Sequence, residues 1–298
     1  VRLDELRARI YTAGELREIA STMRVLSETR LRQAQRSVGS AEAYADEVQH
    51  ALERALALVG DGTQAPADGG APAPRRAALV VLGSEHGFVG GLNERVAAAG
   101  LSARDAAPGA LVLVGGSRFA RTAHEHGLDG EAQAPLAATL GAIGRTARAL
   151  TDLVADGLAR GELATVTVVS ARRRGATEWQ VGSDVVFPVA PPARGGPAVS
   201  RLLHHLPPRV LVARLVLEHV FARITAAVAE AFACEQAARV RALDATRRSL
   251  DGQLDELRQR ERVARQEQVT SELLEVVAGA AALARPSPEA PRGGSAST

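Results

Sequence analysis

From Pro208 to Leu283 the chain has no further proline and only two glycines, Gly252 and Gly279. A stretch that long without a breaker is predicted to be one helix, on the order of 110 Å at ~1.5 Å per residue. That exceeds the width of a compact domain, and an isolated helix needs packing to persist. The obvious partner is the amino-terminal stretch 2–58, predicted as a second helix on the order of 85 Å long. In it Leu31, Ala34, Val38, Ala41, Ala45, Val48, Leu52, Ala55 and Val59 alternate spacings of three and four, which is a heptad seam. Leu3, Leu6, Ile10 and Ala13 obey the same rule. Leu16, Ile19, Met23 and Leu26 then follow in a shifted phase, which predicts local over- or underwinding. Gly14 and Gly39 are tolerated at a cost of about 1 kcal/mol each.

Between these helices the pattern changes. Residues 60–76, "GDGTQAPADGGAPAPRR", have linker composition. "AALVVLG" (77–83) reads as a strand, followed by a Gly-rich turn and a helix from Asn93. "ALVLVG" (110–115) is a second strand, with a helix near 117–126. A helix near 139–159 precedes "LATVTVVS" (163–170), and "TEWQVGSDVVFPV" (177–189) alternates as an extended segment. Strands alternating with helices predict a small α/β layer with a mainly parallel sheet. "APPARGGPAVS" (190–200) reads as a loop and 285–298 as a disordered tail. The expected fold is therefore α/β: a long antiparallel coiled coil of the terminal helices with a small Rossmann-like domain inserted. Its parts are a helix at 1–59, a linker at 60–76, the α/β domain at 77–206, a helix at 207–284 and a tail at 285–298.

Composition narrows the classes. The basic residues are all Arg, nearly balanced by acidic ones at a formal net charge of +2, and aromatics make up 3%. That argues against a base-stacking nucleic-acid surface. The lone Cys234 excludes an intrachain disulfide and, in an Ala-rich helical pattern, reads as a small buried hydrophobe. No apolar run approaches the roughly 20 residues that span a bilayer. "VRLDELRARI" lacks the apolar core of a secretory signal. The expected protein is intracellular, held at a membrane only through partners.

Exposed helical levels carry acidic-to-basic pairs four apart: Glu5–Arg9, Glu28–Arg32, Glu235–Arg239, Glu256–Arg260 and Glu261–Arg265. Each is worth ~0.2–0.5 kcal/mol. Candidate chemistry is thin. "GSEHGFVGGLNERV" (83–96) follows a strand and opens a helix, so its amides offer a phosphate site; it matches neither common phosphate-binding pattern and has no lysine. The histidines of "HEH" (124–126) lie on different helix faces. His204-His205 reads as a helix-entry loop, and Ser84, His86 and Asp105 have no catalytic spacing. Asp255, Glu256, Glu261 and Glu267 offset Arg258, Arg260, Arg262 and Arg265, which reads as a solvated or protein-contacting face. No catalytic, metal or cofactor site is expected.

"CEQAARVRALDAT" (234–246) and "ARQEQVTSELLEVVAGAAAL" (264–283) resemble two carboxyl-terminal segments of the gamma subunit of rotary F-type ATP synthases. "STMRVLSETRLRQAQ" (21–35) and "GSEHGFVGGLN" (83–93) are similar to that family's amino-terminal segment and Gly-rich turn. Arg247-Arg248-Ser249, Arg262-Val263 and Val89 depart from its usual residues, and the long coil sequences look more like the divergent gamma subunits of alternative, often sodium-linked, bacterial ATPases. The resemblance implies a central shaft without catalysis. Its partners would be the alpha and beta subunits of a catalytic hexamer, epsilon and the membrane ion-binding ring, at the cytoplasmic face of a bacterial plasma membrane. It implies hexamer contacts at Met23, Arg30, Arg32, Arg265, Gln266, Thr270, Glu272 and Glu275. An apical bearing falls at Val276, Val277, Ala280, Ala281 and Leu283, and ring contact near Glu218 and His219. A coiled-coil scaffold with an inserted α/β domain, and an α/β nucleotide-binding enzyme with a helical arm, are the competing readings.

Overall fold

The computed structural model describes residues 3–59, 75–175, 178–189 and 205–283, with side chains as far as 280. The expected tail, most of the linker, the 190–200 loop and His204 lie outside these residues, as do the side chains of Ala281 and Leu283. Contacts divide the chain into two units: a larger one, Ser21–Ala245, and a smaller one that joins Val1–Ala20 to Thr246–Thr298. Helix α1 runs Leu3–Ala57 and the last helix, α5, runs Pro208–Leu283.

In the larger unit a five-stranded sheet is built from β1 (Arg76–Leu82), β2 (Leu111–Gly115), β3 (Ala132–Ala134), β4 (Leu163–Arg173) and β5 (Trp179–Phe187), in the order β3-β2-β1-β4-β5. The β1–β2, β1–β4 and β2–β3 pairings are parallel, and β4–β5 is antiparallel. Helices α2 (Leu92–Ala106), α3 (Ser117–Glu125) and α4 (Ile143–Ala159) complete it, with a short 3-10 turn at Leu140–Ala142. Strand alternation sorts the core. Ala78, Val80, Leu82, Val166 and Val168 pack with α4 residues Ala147, Leu150 and Val154, while Leu79, Val81 and Val169 pack with α2 and α3 residues Val96 and Phe119. Each fully buried Val, Leu or Phe contributes about 1.5–3 kcal/mol.

Helix α5 joins both halves of this core. Phe232, Ala233 and Ala237 belong to the first cluster, with Leu31, Ala34 and Val38 of α1; Cys234 and Ala238 belong to the second. All ten residues from 231 to 240 are buried. A helix enclosed on every side needs short side chains where it meets other elements, and alanine and cysteine supply them. Cys234 is the small buried group that its sequence context predicts, its thiol pushed up to about 12 by burial.

In the smaller unit, Arg7 Nε donates to Glu261 (3.0 Å) and Arg17 Nε donates to Asp251 (2.5 Å). Ten residues forward on α1 match ten back on α5, so the two segments are antiparallel there.

The structure corrects several expectations. The strand β3 has no counterpart in the sequence reading; three residues are too short to give a period. The shifted stripe is not buried: Leu16, Ile19 and Leu26 are each more than half exposed. Instead Leu6, Ala13, Ala20, Ser27 and Ala34, seven apart, are all buried, and Leu31, Val38, Ala45 and Leu52 continue the pattern. The heptad keeps its phase by accepting alanine and serine, so apolar content misread it. Of the charge pairs, Glu5–Arg9 (2.8 Å) and Glu256–Arg260 (2.5 Å) form as expected. Glu28 pairs with Arg24 rather than Arg32, and Glu261 with Arg7 rather than Arg265. The Glu235–Arg239 pair forms at 2.5 Å, but deep in the core rather than on a solvated face.

Candidate functional site

The Gly-rich turn 83–91 follows β1, which lies between β2 and β4 in the sheet. In open α/β sheets the crevice at the carboxyl ends of the strands, where strand order reverses, is the usual place for a ligand. Here that place is filled by the chain itself. The backbone N–H groups of Glu85 and His86 donate to the Glu235 carboxylate of α5 at 2.9 and 3.2 Å. Arg239 donates through Nη2 to Glu235, through Nη1 to Gln236 Oε1 (3.0 Å) and through Nε to the Gly87 carbonyl (3.1 Å). Glu235 is 2% exposed and Arg239 5%. Buried charges persist only when paired and hydrogen-bonded, as these are.

A second internal anion closes the turn from the other side. Glu85 accepts from Ser117 N (2.9 Å), Ser117 Oγ (2.6 Å) and Leu136 N (2.7 Å). It thereby occupies the amino terminus of α3, where the backbone favours negative charge. Burial pushes the Glu85 carboxyl up, but these donors outweigh it and hold the group below the usual carboxylate value. Gly116, at φ 113°, makes this possible: a Cβ there would lie 2.5 Å from the Ser84 carbonyl oxygen. Ser84 is buried; its N–H donates to Asn93 Oδ1 (3.1 Å) and its hydroxyl to the His86 carbonyl (2.9 Å). The turn's N–H groups at 85 and 86 are thus spent on Glu235, and the Ser84 hydroxyl points at a main-chain oxygen rather than an imidazole. At the tip Phe88 takes φ 61° and is 63% exposed, while Val89 beside it is buried.

The histidines of the 124–126 run have local partners. His124 Nδ1 lies 2.7 Å from Asp129, and His126 Nδ1 lies 2.8 Å from the Thr122 carbonyl. Among the described residues no cluster of His, Cys, Asp and Glu has the form of a metal site. No described helix is long and apolar enough to cross a membrane.

The end of α5 is the opposite of its middle. Every described residue from 265 to 280 is exposed, including Leu273, Leu274, Val276 (70%) and Val277. On a helix turning about 100° per residue, Val269, Leu273, Val276, Val277 and Ala280 lie along one arc, and Arg265, Gln268, Glu272 and Glu275 along the arc beside it. The helix carries Arg265, Gln266, Thr270, Glu272, Glu275, Val276, Val277 and Ala280 together; among the described residues the side-chain bonds there are internal to the helix, Thr270 Oγ1 to the Gln266 carbonyl (2.9 Å) and Gln268 to Glu272 (2.8 Å). Met23, Arg30 and Arg32 lie on α1 in the larger unit, Met23 and Arg30 half-buried and Arg32 exposed. Glu218 is half-buried and accepts from the Tyr44 hydroxyl, which holds the Tyr44 phenol up near about 12. His219 is 4% exposed, with Nδ1 unpartnered among the described residues; burial and Arg223 hold its imidazole below the ordinary value.

Sequence reasoning missed Glu235, Gln236 and Arg239 as a buried group, and Glu85 as its counterpart. The available signal was the spacing of Glu235 and Arg239 inside an otherwise apolar, Ala-rich stretch, where a charge must be either exposed or answered.

A sequence model described as ATP synthase matches residues 2–283. The ATP synthase gamma chain of Acidithiobacillus ferrooxidans is 27% identical over 295 residues, covering 94% of this chain and 98% of that one. That of Ruegeria pomeroyi is 28% identical over 293 residues, covering 94% and 99%. Among solved structures, a chain of the Euglena gracilis mitochondrial ATP synthase, in its OSCP/F1/c-ring in rotational state 3, superposes with TM-score 0.65 at 15% identity, covering 94% of each chain. A chain of the Tetrahymena thermophila mitochondrial ATP synthase central stalk and c-ring gives 0.59 at 16% identity, covering 76% of this chain and 98% of that one.

Proposed function

Because this chain belongs to the ATP synthase family, whose model spans nearly all of it, we propose that it is the gamma-type rotor shaft of an F-type ATP synthase, with no catalytic site of its own. Helices α1 and α5 wind as an antiparallel coiled coil (residues 1–59 and 207–284) around an inserted Rossmann-like domain (77–206). Residues 60–76 act as linker and 285–298 as tail. The shaft turns inside an alternating alpha/beta hexamer, and its foot rests with epsilon on the membrane ion-binding ring, peripheral to the cytoplasmic face of the membrane.

The observation that carries this reading is the bare end of α5. Sixteen consecutive exposed residues from 265 to 280, several of them large and apolar, would not be left to water unless another surface covers them. Arg265, Gln266, Thr270, Glu272 and Glu275 meet loops of the catalytic subunits through charge-assisted hydrogen bonds. Val276, Val277, Ala280, Ala281 and Leu283 sit in the apical sleeve. Met23, Arg30 and Arg32 of α1 make further hexamer contacts, and Glu218 and His219 lie near the ring. With its apolar and charged arcs side by side, the helix binds open and closed catalytic subunits unequally, and only unequal binding shifts their populations.

Co-expression tests the reading. The chain should co-purify with alpha and beta subunits and make their ATP hydrolysis cooperative; failure of both would refute it. Arg265→Ala should lower coupled ATP turnover by about tenfold, the value of one charge-assisted bond, while the isolated chain keeps its helical circular dichroism. Unchanged turnover in the assembled complex would remove Arg265 from the contact.

A further inference from the structure

We infer that Glu235 and Arg239 form a mechanical lock that forces the α/β domain and α5 to turn as one body, and that they are positioning residues for coupled rotation. The inference rests on the rotor reading. What α5 otherwise buries between 231 and 240 is, Gln236 apart, apolar: four alanines, Cys234, Phe232 and Val240. Apolar burial of that kind holds surfaces together but has no direction, so it resists separation better than sliding. A shaft under torque needs the second property. Hydrogen bonds weaken steeply when misaligned, and charged ones are the strongest of them.

The geometry is that of a clasp. Glu235 grips two successive amides of the turn, at Glu85 and His86. Arg239, one helical turn on, grips the Gly87 carbonyl and returns a bond to Glu235. One carboxylate and one guanidinium therefore hold three consecutive residues of the turn, donors and acceptor both. Glu85 then ties that turn onward to α3 at Ser117 and to Leu136 just beyond β3. A displacement of α5 along or around its axis would break all three bonds to the turn at once. The large apolar side chain that the clasped turn exposes is Phe88, so the lock also fixes where that ring stands relative to α5.

Two variants and two measurements test this. Glu235→Ala removes the clasp. The double variant Glu235→Leu with Arg239→Met replaces the buried pair by apolar groups of similar size, an exchange that folded proteins often tolerate. In the isolated chain, hydrogen exchange at the Glu85 and His86 amides should quicken by about ten- to a hundredfold in both variants, as expected for charged bonds lost, while the Leu79 and Val81 amides stay protected. In the complex assembled with alpha, beta and ring subunits, the double variant should still hydrolyse ATP but move about tenfold fewer ions per ATP. The same ions-per-ATP ratio in a folded double variant, or unchanged exchange at 85 and 86, overturns the lock. Glu235→Gln with Arg239 intact keeps the shape and one of the two acceptor oxygens, and should restore part of the ratio; no restoration reduces the pair to a structural role. If the unsubstituted chain fails to confer cooperative hydrolysis, the rotor reading falls instead, and the exchange result alone decides whether the clasp exists.

Discussion

Two stretches of one helix make the sharpest contrast in the molecule. Residues 231–240 of α5 are enclosed on all sides, and residues 265–280 are open on all sides. Both are helical, and neither has a proline. The first is built of alanine, cysteine and a few larger buried groups around a hydrogen-bonded charge pair, and its partners are on this chain. The second carries long apolar and charged side chains that nothing among the described residues covers. A helix can therefore be specified by its own chain at one level and by another molecule at the next, and burial separates the two more clearly than sequence period does.

The largest effect should come from unpairing the enclosed level. Arg239→Ala leaves the Glu235 carboxylate buried without its counter-ion and should destabilise the larger unit by about 3–5 kcal/mol, read as a fall in denaturation midpoint. A loss under about 1 kcal/mol would mean that water relieves Glu235, and the contrast with the open level would weaken.

Acid should act next, and on the larger unit. The imidazole of His219 lies below its ordinary value of 6.5, so the folded state disfavours its proton. The stability that this provides is present above 6.5 and is lost as pH falls through the depressed value. Glu85, held below 4.5, adds a second loss below that pH, as its carboxylate gains a proton and releases Ser117 and Leu136. Thermal midpoints measured from pH 8 to pH 3 should fall in two stages. His219→Gln should abolish the upper stage and leave the lower one. A single stage, or an upper stage that survives His219→Gln, would assign the sensitivity elsewhere.

The smallest effect on the isolated chain should come from the open level. Leu273→Ala, 61% exposed, should change its stability by no more than about 0.5 kcal/mol. The same substitution should weaken assembly with alpha and beta subunits several-fold, measured by co-purification at limiting concentration. A large loss of stability in the isolated chain would show that this face has an internal partner after all.

Much of the fold was legible because length and breakers carry it. The absence of proline from 209 to 283 announced α5, and strand runs such as "ALVVL" announced the middle of the sheet. The seam of α1 was legible from Leu31 to Ala55, where it is apolar. It was misread from Leu16 to Leu26, because there the buried positions are Ala20 and Ser27 while larger apolar residues face out. A rule that scores hydrophobicity cannot see an interface made of small residues. The contact residues proposed for the end of α5 stood out by resemblance, and their exposure is compatible with it. Glu235 and Arg239 were recognised as a pair but given a solvated helix face, since spacing four apart is the same on either side of a helix.

The sequence by itself determined where this chain is helical, where it alternates into strands and that its two ends are long helices, because those follow from backbone permissions and side-chain period. Only the tertiary structure decided which phase of α1 is buried, which acidic residue each arginine meets, and that the turn after β1 is closed by the chain's own carboxylates. Those choices are made between groups far apart in sequence, competing for the same partners, and the winner is set by distance and desolvation rather than by neighbours along the chain.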